Sequence, residues 1–152
     1  MKAIEIYTDG GCRGNGRSKD NVGGIGGILI YKGYRKEYKK GFVNTTNNRM
    51  ELLAVITGLE MLKEPCNVTL YSDSAYVVNA FNQHWIENWA EKGWKKGKNN
   101  PLKNAELWKK LFELTKIHNV SFNKVKGHAD NENNNRADEL VNLAMDEISK
   151  TE

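Results

Sequence analysis

The chain has 152 residues, of which 39% are hydrophobic, and a net charge of +4; this size suits one compact domain rather than two. Its apolar runs are short and its amino-terminal residues do not resemble a signal peptide, so we expect neither a membrane span nor export. Cys12 and Cys66 lack metal-binding spacing and are expected to be reduced thiols of a cytoplasmic protein, although a single disulfide is the alternative.

The first part of the chain predicts three strands. Residues 2–8 alternate with period two, as in a half-buried strand, and the polar, Gly-rich residues 10–21 predict a loop. Residues 23–31 and 34–43 flank Lys32-Gly33, a sequence typical of a hairpin turn. These features indicate antiparallel strands at the start of the chain.

The remainder alternates helices with strands. We expect helices at 47–63 (ended by Pro65), twice within 74–91, at 104–116 and at 136–148, strands at 68–72 and 120–125, and loops at 92–100 and 130–135. This order predicts an α/β fold in which helices cover both faces of a mixed sheet. No repeat or linker divides the chain, so we expect a single domain over residues 1–152. Neither G-x-G-x-x-G nor GK[ST] occurs, which leaves dinucleotide and P-loop sites unsupported.

Two predicted strands end in similar sequences, YTDG at residues 7–10 and YSDS at residues 71–74. If these strands are neighbours, the carboxylates of Asp9 and Asp73 lie about 5 Å apart by strand spacing. Two such groups repel, so one takes up a proton unless a divalent cation lies between them. The alternative is that each Asp only caps the turn that follows it.

Two further acids and a histidine extend this candidate site. Glu51 lies in a helix that is apolar almost all round, so it needs a partner, unless it only favours the positive end of the helix. Asp138 lies in the last helix, ten residues after His128, which is either a solvated loop residue or a proton carrier. Hard oxygen ligands favour magnesium or manganese over zinc, and two such ions suit phosphodiester hydrolysis.

The positive charge is concentrated in one segment. Residues 84–116 contain eight Lys, four Glu and all four Trp, whereas the rest of the chain has 15 basic and 15 acidic residues. Indoles interleaved with lysines suit a polyanion that offers sugar or base faces. A solvated, Lys-rich pair of helices with Trp side chains in the core remains the alternative.

Taken together, these motifs resemble type 1 ribonuclease H over residues 4 to about 144. The most specific matches are TDGGCRGN at 8–15, TNNRMEL at 46–52, SDS at 72–74 and VKGHA at 125–129, followed by Asn134 and ADEL at 137–140. Each piece alone is a weak signal. All of them, in order and at compatible intervals, are a strong one.

The resemblance implies a ribonuclease H-like fold, with a five-stranded mixed sheet (a three-strand antiparallel meander plus parallel strands) and helices on both faces. It implies that the protein cuts the RNA strand of an RNA–DNA hybrid, leaving 5′-phosphate and 3′-hydroxyl ends. Separately, we expect a monomer, because the sequence shows no heptad repeat and no obvious apolar patch. Two Mg²⁺ ions, with Mn²⁺ as a substitute, would be held by Asp9, Glu51, Asp73 and Asp138. His128 would assist proton transfer or product release.

The resemblance also implies three groups of substrate contacts. Residues that read the minor groove and the RNA 2′-hydroxyls would be Cys12, Asn15, Asn47 and Asn48, beside Gly10 and Asn134. A pocket for a DNA-strand phosphate would include Thr46 and Asn88, and a basic protrusion at about 84–100 would include Trp85, Trp89, Lys92, Trp94, Lys95, Lys96 and Lys98. We assign Trp108 to the core and keep core packing as the alternative for Trp89. Helix capping is the alternative for Asn47 and Asn48.

Several positions depart from the family pattern. Residues 16–21 make the first loop longer and lack the usual Pro-Gly run, while Ala75, Asn44 and Ala90-Glu91 replace residues that bind the hybrid. These changes predict weaker binding of the hybrid than in more basic members of the family.

Two other functions stay open: an integrase-like or other nuclease on the same fold, and a hybrid-binding module without catalysis. The second would be expected to lack one of the carboxylates, and none is missing.

Overall fold

The computed structural model describes residues 1–14, 21–97, 100–126 and 131–150. Its strands are β1 (Lys2–Arg13), β2 (Val22–Tyr31), β3 (Tyr34–Val43), β4 (Cys66–Ser72), β5 (Lys95–Gly97), β6 (Asn100–Pro101) and β7 (Asn119–Lys124). Its helices are α1 (Asn47–Glu60), α2 (Ala75–Asn82), α3 (Trp85–Glu91), α4 (Ala105–Ile117) and α5 (Glu132–Lys150).

The described residues form a five-stranded mixed sheet in the order β3-β2-β1-β4-β7. The first three strands are antiparallel, whereas β4 runs parallel to β1 and to β7. This is the ribonuclease H-like fold, and the predicted fold class is confirmed. Since β1 and β4 are parallel neighbours, their carboxyl ends meet at the same edge of the sheet.

Helices cover both faces of this sheet. On one face, α1 packs Leu52, Val55 and Ile56 against the fully buried Ile6, in the main hydrophobic core. On the other face, α5 crosses so close that a Cβ at Gly26 would lie 2.7 Å from the carbonyl oxygen of Ala137. The sheet is therefore buried on both sides, as a mixed sheet with helical crossovers requires.

Strand β1 is longer than the sequence predicts, because Gly10 to Arg13 continue the pairing with β2 instead of forming a loop. Gly10 explains the extension. A Cβ at this position would lie 2.6 Å from the backbone nitrogen of Glu51, so only glycine lets the strand run beneath the first turn of α1. Polar, Gly-rich composition is thus a sign of close backbone approach here, and not of a loop.

The predicted hairpin is confirmed. The two residues between β2 and β3 have positive φ angles, 48° for Lys32 and 85° for Gly33, as a two-residue turn of the mirror-image type requires. Strand β3, which follows, is an edge strand rich in lysine. Such charge on an edge hinders pairing with other chains.

Three other boundaries differ from the predictions. Helix α1 ends at Glu60, before Pro65 is reached. The expected loop at 92–100 instead contributes two short antiparallel strands, β5 and β6, whose pairing a local pattern does not reveal. Helix α5 begins at Glu132, so part of the Asn-rich stretch is helical.

Among the described helices, none is both long and apolar enough to cross a membrane.

Candidate active site

Asp9 and Asp73 lie at the edge where β1 and β4 end together. Tyr7 and Tyr71 are partners in the parallel register, and each Asp lies two positions beyond its Tyr. Asp9 pairs with Gly26, whose α-carbon faces α5, so Asp9 points towards the helix that carries Asp138. The matching sequences at the strand ends therefore lead to neighbouring carboxylates.

Four carboxylates from four separate elements line one cavity of about 420 Å³. Asp9 comes from β1, Glu51 from the second turn of α1, Asp73 from the residue after β4 and Asp138 from α5. We call this space the acidic cavity. It also contains Gly10, Cys12, Arg13, Asn47 and Asn134.

Asp9 has a strongly perturbed carboxyl group. Its pKa is raised to about 8, first by burial and then by the nearby charges of Asp73 and Asp138. A hydrogen bond with Asp138 adds to this effect, while the backbone of Gly10 opposes it. The pKa of Asp9 therefore lies well above that of an ordinary carboxyl group, because Asp9 is buried beside other acids.

Glu51 is held by Ser74, which belongs to the SDS motif but to which the sequence analysis assigned no role. The Ser74 hydroxyl donates a hydrogen bond to Oε2 of Glu51 and accepts one from the Val77 backbone N–H at 3.2 Å, which caps α2. Burial raises the pKa of Glu51, and the charge of Asp73 adds to this, while the Ser74 hydrogen bond lowers it. A serine between a strand end and a helix start was the available signal.

The donor set fits a divalent cation by its chemistry. Four carboxylates are the hard oxygen ligands that magnesium and manganese prefer, and a cation would relieve the repulsion that raises the pKa of Asp9. However, within residues 1–14, 21–97, 100–126 and 131–150, no three His, Cys, Asp or Glu side chains already form a group that could hold a metal ion. The structure thus shows a shared cavity, and not a complete ligand shell.

Polar residues expected to read the minor groove lie beside the carboxylates. The Cys12 backbone N–H donates to Oδ1 of Asn47 at 2.7 Å, which joins the end of β1 to the start of α1. The helix cap is neither Asn47 nor Asn48 but Thr46, whose hydroxyl accepts from the Arg49 backbone N–H at 3.3 Å. The capping alternative for the two asparagines is therefore wrong.

Thr46 lines a second cavity whose composition differs from the expectation. Its neighbours there include Asn48, Lys103 and Asn104, but not Asn88, which is exposed on α3. The Asn104 side chain is fixed at both ends, because it accepts from Arg49 at 3.0 Å and donates to the Tyr76 hydroxyl at 3.1 Å. Sequence reasoning missed Lys103 and Asn104 because a long stretch of chain separates them from Thr46.

The tryptophans in and beside the basic protrusion, residues 84–100 as far as they are described, occupy two environments, the core and the surface. Trp108, on the adjacent helix α4, is fully buried, as its core assignment predicted, and Trp89 packs against it at 5.1 Å between ring centroids. Trp85 is 44% exposed and lines an aromatic cleft with Trp89, Asn48 and Lys96. This cleft begins at the first turn of α1, so the protrusion and the acidic cavity flank the same helix end.

The remaining expected residues of the protrusion are at the surface. Lys92, Lys95 and Lys96 are exposed, whereas Trp94 is half-buried against Phe112, with 5.5 Å between ring centroids. Asn15, Lys98 and His128 lie outside the described residues. Cys12 and Cys66 are not joined by a disulfide.

Comparison with known proteins adds independent information. The RNase H family model matches residues 1–146. A curated protein from Clostridium botulinum named ribonuclease H is 57% identical over 149 residues, which cover 98% of this chain and 99% of that protein. Among solved structures, LC9-RNase H1, described as a type 1 RNase H with the type 2 active-site motif, is 30% identical with a TM-score of 0.85 over 97% of this chain and 74% of its own. LC11-RNase H1 in complex with an RNA/DNA hybrid is 29% identical with a TM-score of 0.70, covering 96% and 99% respectively.

Proposed function

Because the chain belongs to the RNase H family, we propose that it is an endonuclease that hydrolyses the RNA strand of RNA–DNA hybrids. Two Mg²⁺ ions, or Mn²⁺ in their place, would be held by Asp9, Glu51, Asp73 and Asp138. The observation that carries this proposal is the acidic cavity, where four separate elements contribute carboxylates to one space. Like charges in one space repel each other, and a bound divalent cation would relieve that repulsion.

In this proposal the chain's own residues prepare the site for the reaction. When bound, the two cations would supply charge stabilisation for the attacking water and for the leaving oxygen. Ser74 fixes one oxygen of Glu51, so that this carboxylate enters the site with a defined orientation. Gly10 lets the backbone of α1 approach β1, which brings Glu51 towards Asp9. His128 would carry a proton at the leaving group, and products would bear 5′-phosphate and 3′-hydroxyl ends.

Substrate recognition would use surfaces on both sides of the α1 amino terminus. Cys12, Asn47, Asn48 and Asn134, with Asn15, would contact the minor groove, where the 2′-hydroxyl distinguishes RNA from DNA. Thr46 would bind a DNA-strand phosphate, and the cavity it lines favours Lys103 and Asn104 as its companions over Asn88. Trp85 and the exposed lysines of the basic protrusion would hold the rest of the duplex.

Cleavage of end-labelled duplexes tests the proposal. RNA–DNA hybrid, duplex DNA and duplex RNA of one sequence are incubated with the protein in Mg²⁺ and, separately, in EDTA. We expect cleavage of the RNA strand of the hybrid alone, and only with Mg²⁺. Cleavage of duplex DNA would instead favour another nuclease on this fold, and tight hybrid binding without any cleavage would favour a binding module.

A further inference from the structure

Asn21 is a buried polar residue that the catalytic proposal does not use. It immediately precedes β2, it is only 6% exposed, and it stands at the end of the segment that lacks the family's usual Pro-Gly run. Burying a carboxamide is unfavourable unless its hydrogen bonds are satisfied. The hydrogen-bond partners of Asn21 therefore indicate its structural role.

The Asn21 side chain pairs with the backbone of Thr45 at both of its polar groups. Its Nδ2 donates to the Thr45 carbonyl oxygen at 2.7 Å, and its Oδ1 accepts from the Thr45 backbone N–H at 3.0 Å. The Asn21 carbonyl oxygen also accepts from the backbone N–H of Asn44 at 2.9 Å. Three hydrogen bonds from one residue thus fix the two residues before Thr46.

The same carboxamide also reaches β1. Its Nδ2 lies 3.7 Å from the Cys12 sulphur, and Cys12 in turn donates its backbone N–H to Asn47. Asn21 therefore contacts both the end of β1 and the residues that lead into α1. These two elements contribute Cys12 and Asn47 to the acidic cavity. Thr46, Asn47 and Asn48 follow directly after the segment that it holds.

We propose that Asn21 is a positioning residue for hybrid recognition: it fixes Thr45 and Cys12 so that Asn47 and its neighbours meet the minor groove in a set geometry. This inference rests on the proposed function. Asn21 itself touches no substrate, since its carboxamide is occupied by the protein. Its removal leaves the carboxylates in place but loosens the residues that distinguish a hybrid from duplex DNA.

The proposal differs measurably from a purely structural role. Asn21→Ala lowers stability in either case, because it removes two hydrogen bonds from the buried backbone of Thr45. A structural role leaves the preference for hybrid over duplex DNA unchanged in the protein that stays folded. A positioning role reduces that preference, because the recognition of RNA 2′-hydroxyls is weakened while the attraction to phosphates remains.

The test measures dissociation constants for a labelled hybrid and a duplex DNA of the same sequence, without divalent cation and well below the melting temperature. We expect Asn21→Ala to reduce the ratio of the two constants roughly fivefold, about the effect of one hydrogen bond. Asn47→Ala should reduce it similarly, and the double variant no further than either one. Asn82→Ala is the matched control, because it removes a 3.1 Å side-chain bond to the Phe122 carbonyl oxygen between α2 and β7.

Two results separate the possible failures. Wild-type protein without preference for the hybrid and without hybrid cleavage would overturn the proposed function itself. Wild-type protein with that preference, matched by an unchanged ratio in Asn21→Ala, would overturn only the positioning role. If Asn21→Ala does not fold, Asn21→Ser, which keeps a hydroxyl for one of the two Thr45 bonds, provides the same comparison with a smaller expected change.

Discussion

The acidic cavity and the basic protrusion use charge in opposite ways. In the cavity, Asp9 is largely buried beside two other acids, and its pKa rises to about 8. In the protrusion, Lys92, Lys95 and Lys96 extend into solvent. A charge with little solvent interacts strongly with its neighbours, whereas an exposed charge is screened by water and salt. We therefore expect the loss of a single carboxylate in the acidic cavity to have a large effect on activity. In the basic protrusion, we expect affinity to depend on the total number of lysines and little on any one of them.

The largest expected effect follows from Asp9→Asn. This change removes one proposed metal ligand while it keeps the size of the side chain, so we expect kcat to fall on the order of 10³-fold, the scale of the several kcal/mol that a bound cation contributes. Hybrid binding should persist, because the basic protrusion and the residues proposed to contact the minor groove are unchanged. Single-turnover cleavage and a binding titration measure the two quantities separately. Glu64→Gln, an exposed acid that pairs with Lys2, is the control, and comparable turnover in Asp9→Asn and this control would contradict the role of Asp9.

Ser74→Ala should have a smaller effect on activity. It leaves all four carboxylates in place but removes the hydrogen bond that orients Glu51 and the cap of α2. Loss of a residue that orients a metal ligand reduces activity or metal affinity roughly 10- to 100-fold, and loss of the cap costs about 1 kcal/mol of stability. Melting curves and kcat are measured together, with Ser74→Thr as the variant that keeps the hydroxyl. An unchanged kcat in a destabilised Ser74→Ala would show that Ser74 only caps the helix.

In the protrusion, we expect replacement of Lys95 and Lys96 by Ala to weaken binding severalfold for all hybrid sequences alike. The slope of log affinity against log salt should decrease by about one for each phosphate that is no longer neutralised by a lysine. Lys32→Ala with Lys63→Ala removes the same charge away from the protrusion and should leave the slope nearly unchanged. A change of sequence preference in the Lys95 and Lys96 variant would contradict a purely electrostatic role.

A buried group far from both regions should affect stability alone. Nδ1 of His118 accepts the Cys66 backbone N–H at 3.1 Å where β4 begins, and burial lowers the pKa of His118. Because the folded protein favours the neutral ring, this stabilisation is present above the ordinary pKa of 6.5 and is lost as pH falls below it. We expect the free energy of unfolding of the wild type to fall more than that of His118→Gln between pH 7 and pH 5. Parallel pH profiles of the two proteins would contradict this.

The sequence predicts the acidic cavity better than the surfaces around it. Matching strand ends place Asp9 beside Asp73, because parallel neighbours bring equivalent positions together. The Asn104 and Ser74 contacts join elements distant in sequence, and no local pattern encodes them. The strand pairing of β5 with β6 likewise depends on tertiary structure.

Glycine gave the most instructive error. The residues after Asp9 have the composition of a loop, and yet they continue β1. The reason is the backbone of α1, which lies against Gly10 too closely for any side chain. A glycine in the sequence indicates that its position has an unusual backbone conformation or a close neighbour. The sequence alone does not show whether the glycine lies in a turn or at a close backbone contact.

The central claim is that the carboxylates of the acidic cavity act together to bind divalent cations. Calorimetric titration of Mg²⁺, repeated with Mn²⁺, into the substrate-free protein tests it most directly. We predict saturable binding by the wild type and by Glu64→Gln, and its loss in Asp73→Asn. Equal binding by Asp73→Asn and the wild type would contradict the claim, because the cations would then be held elsewhere.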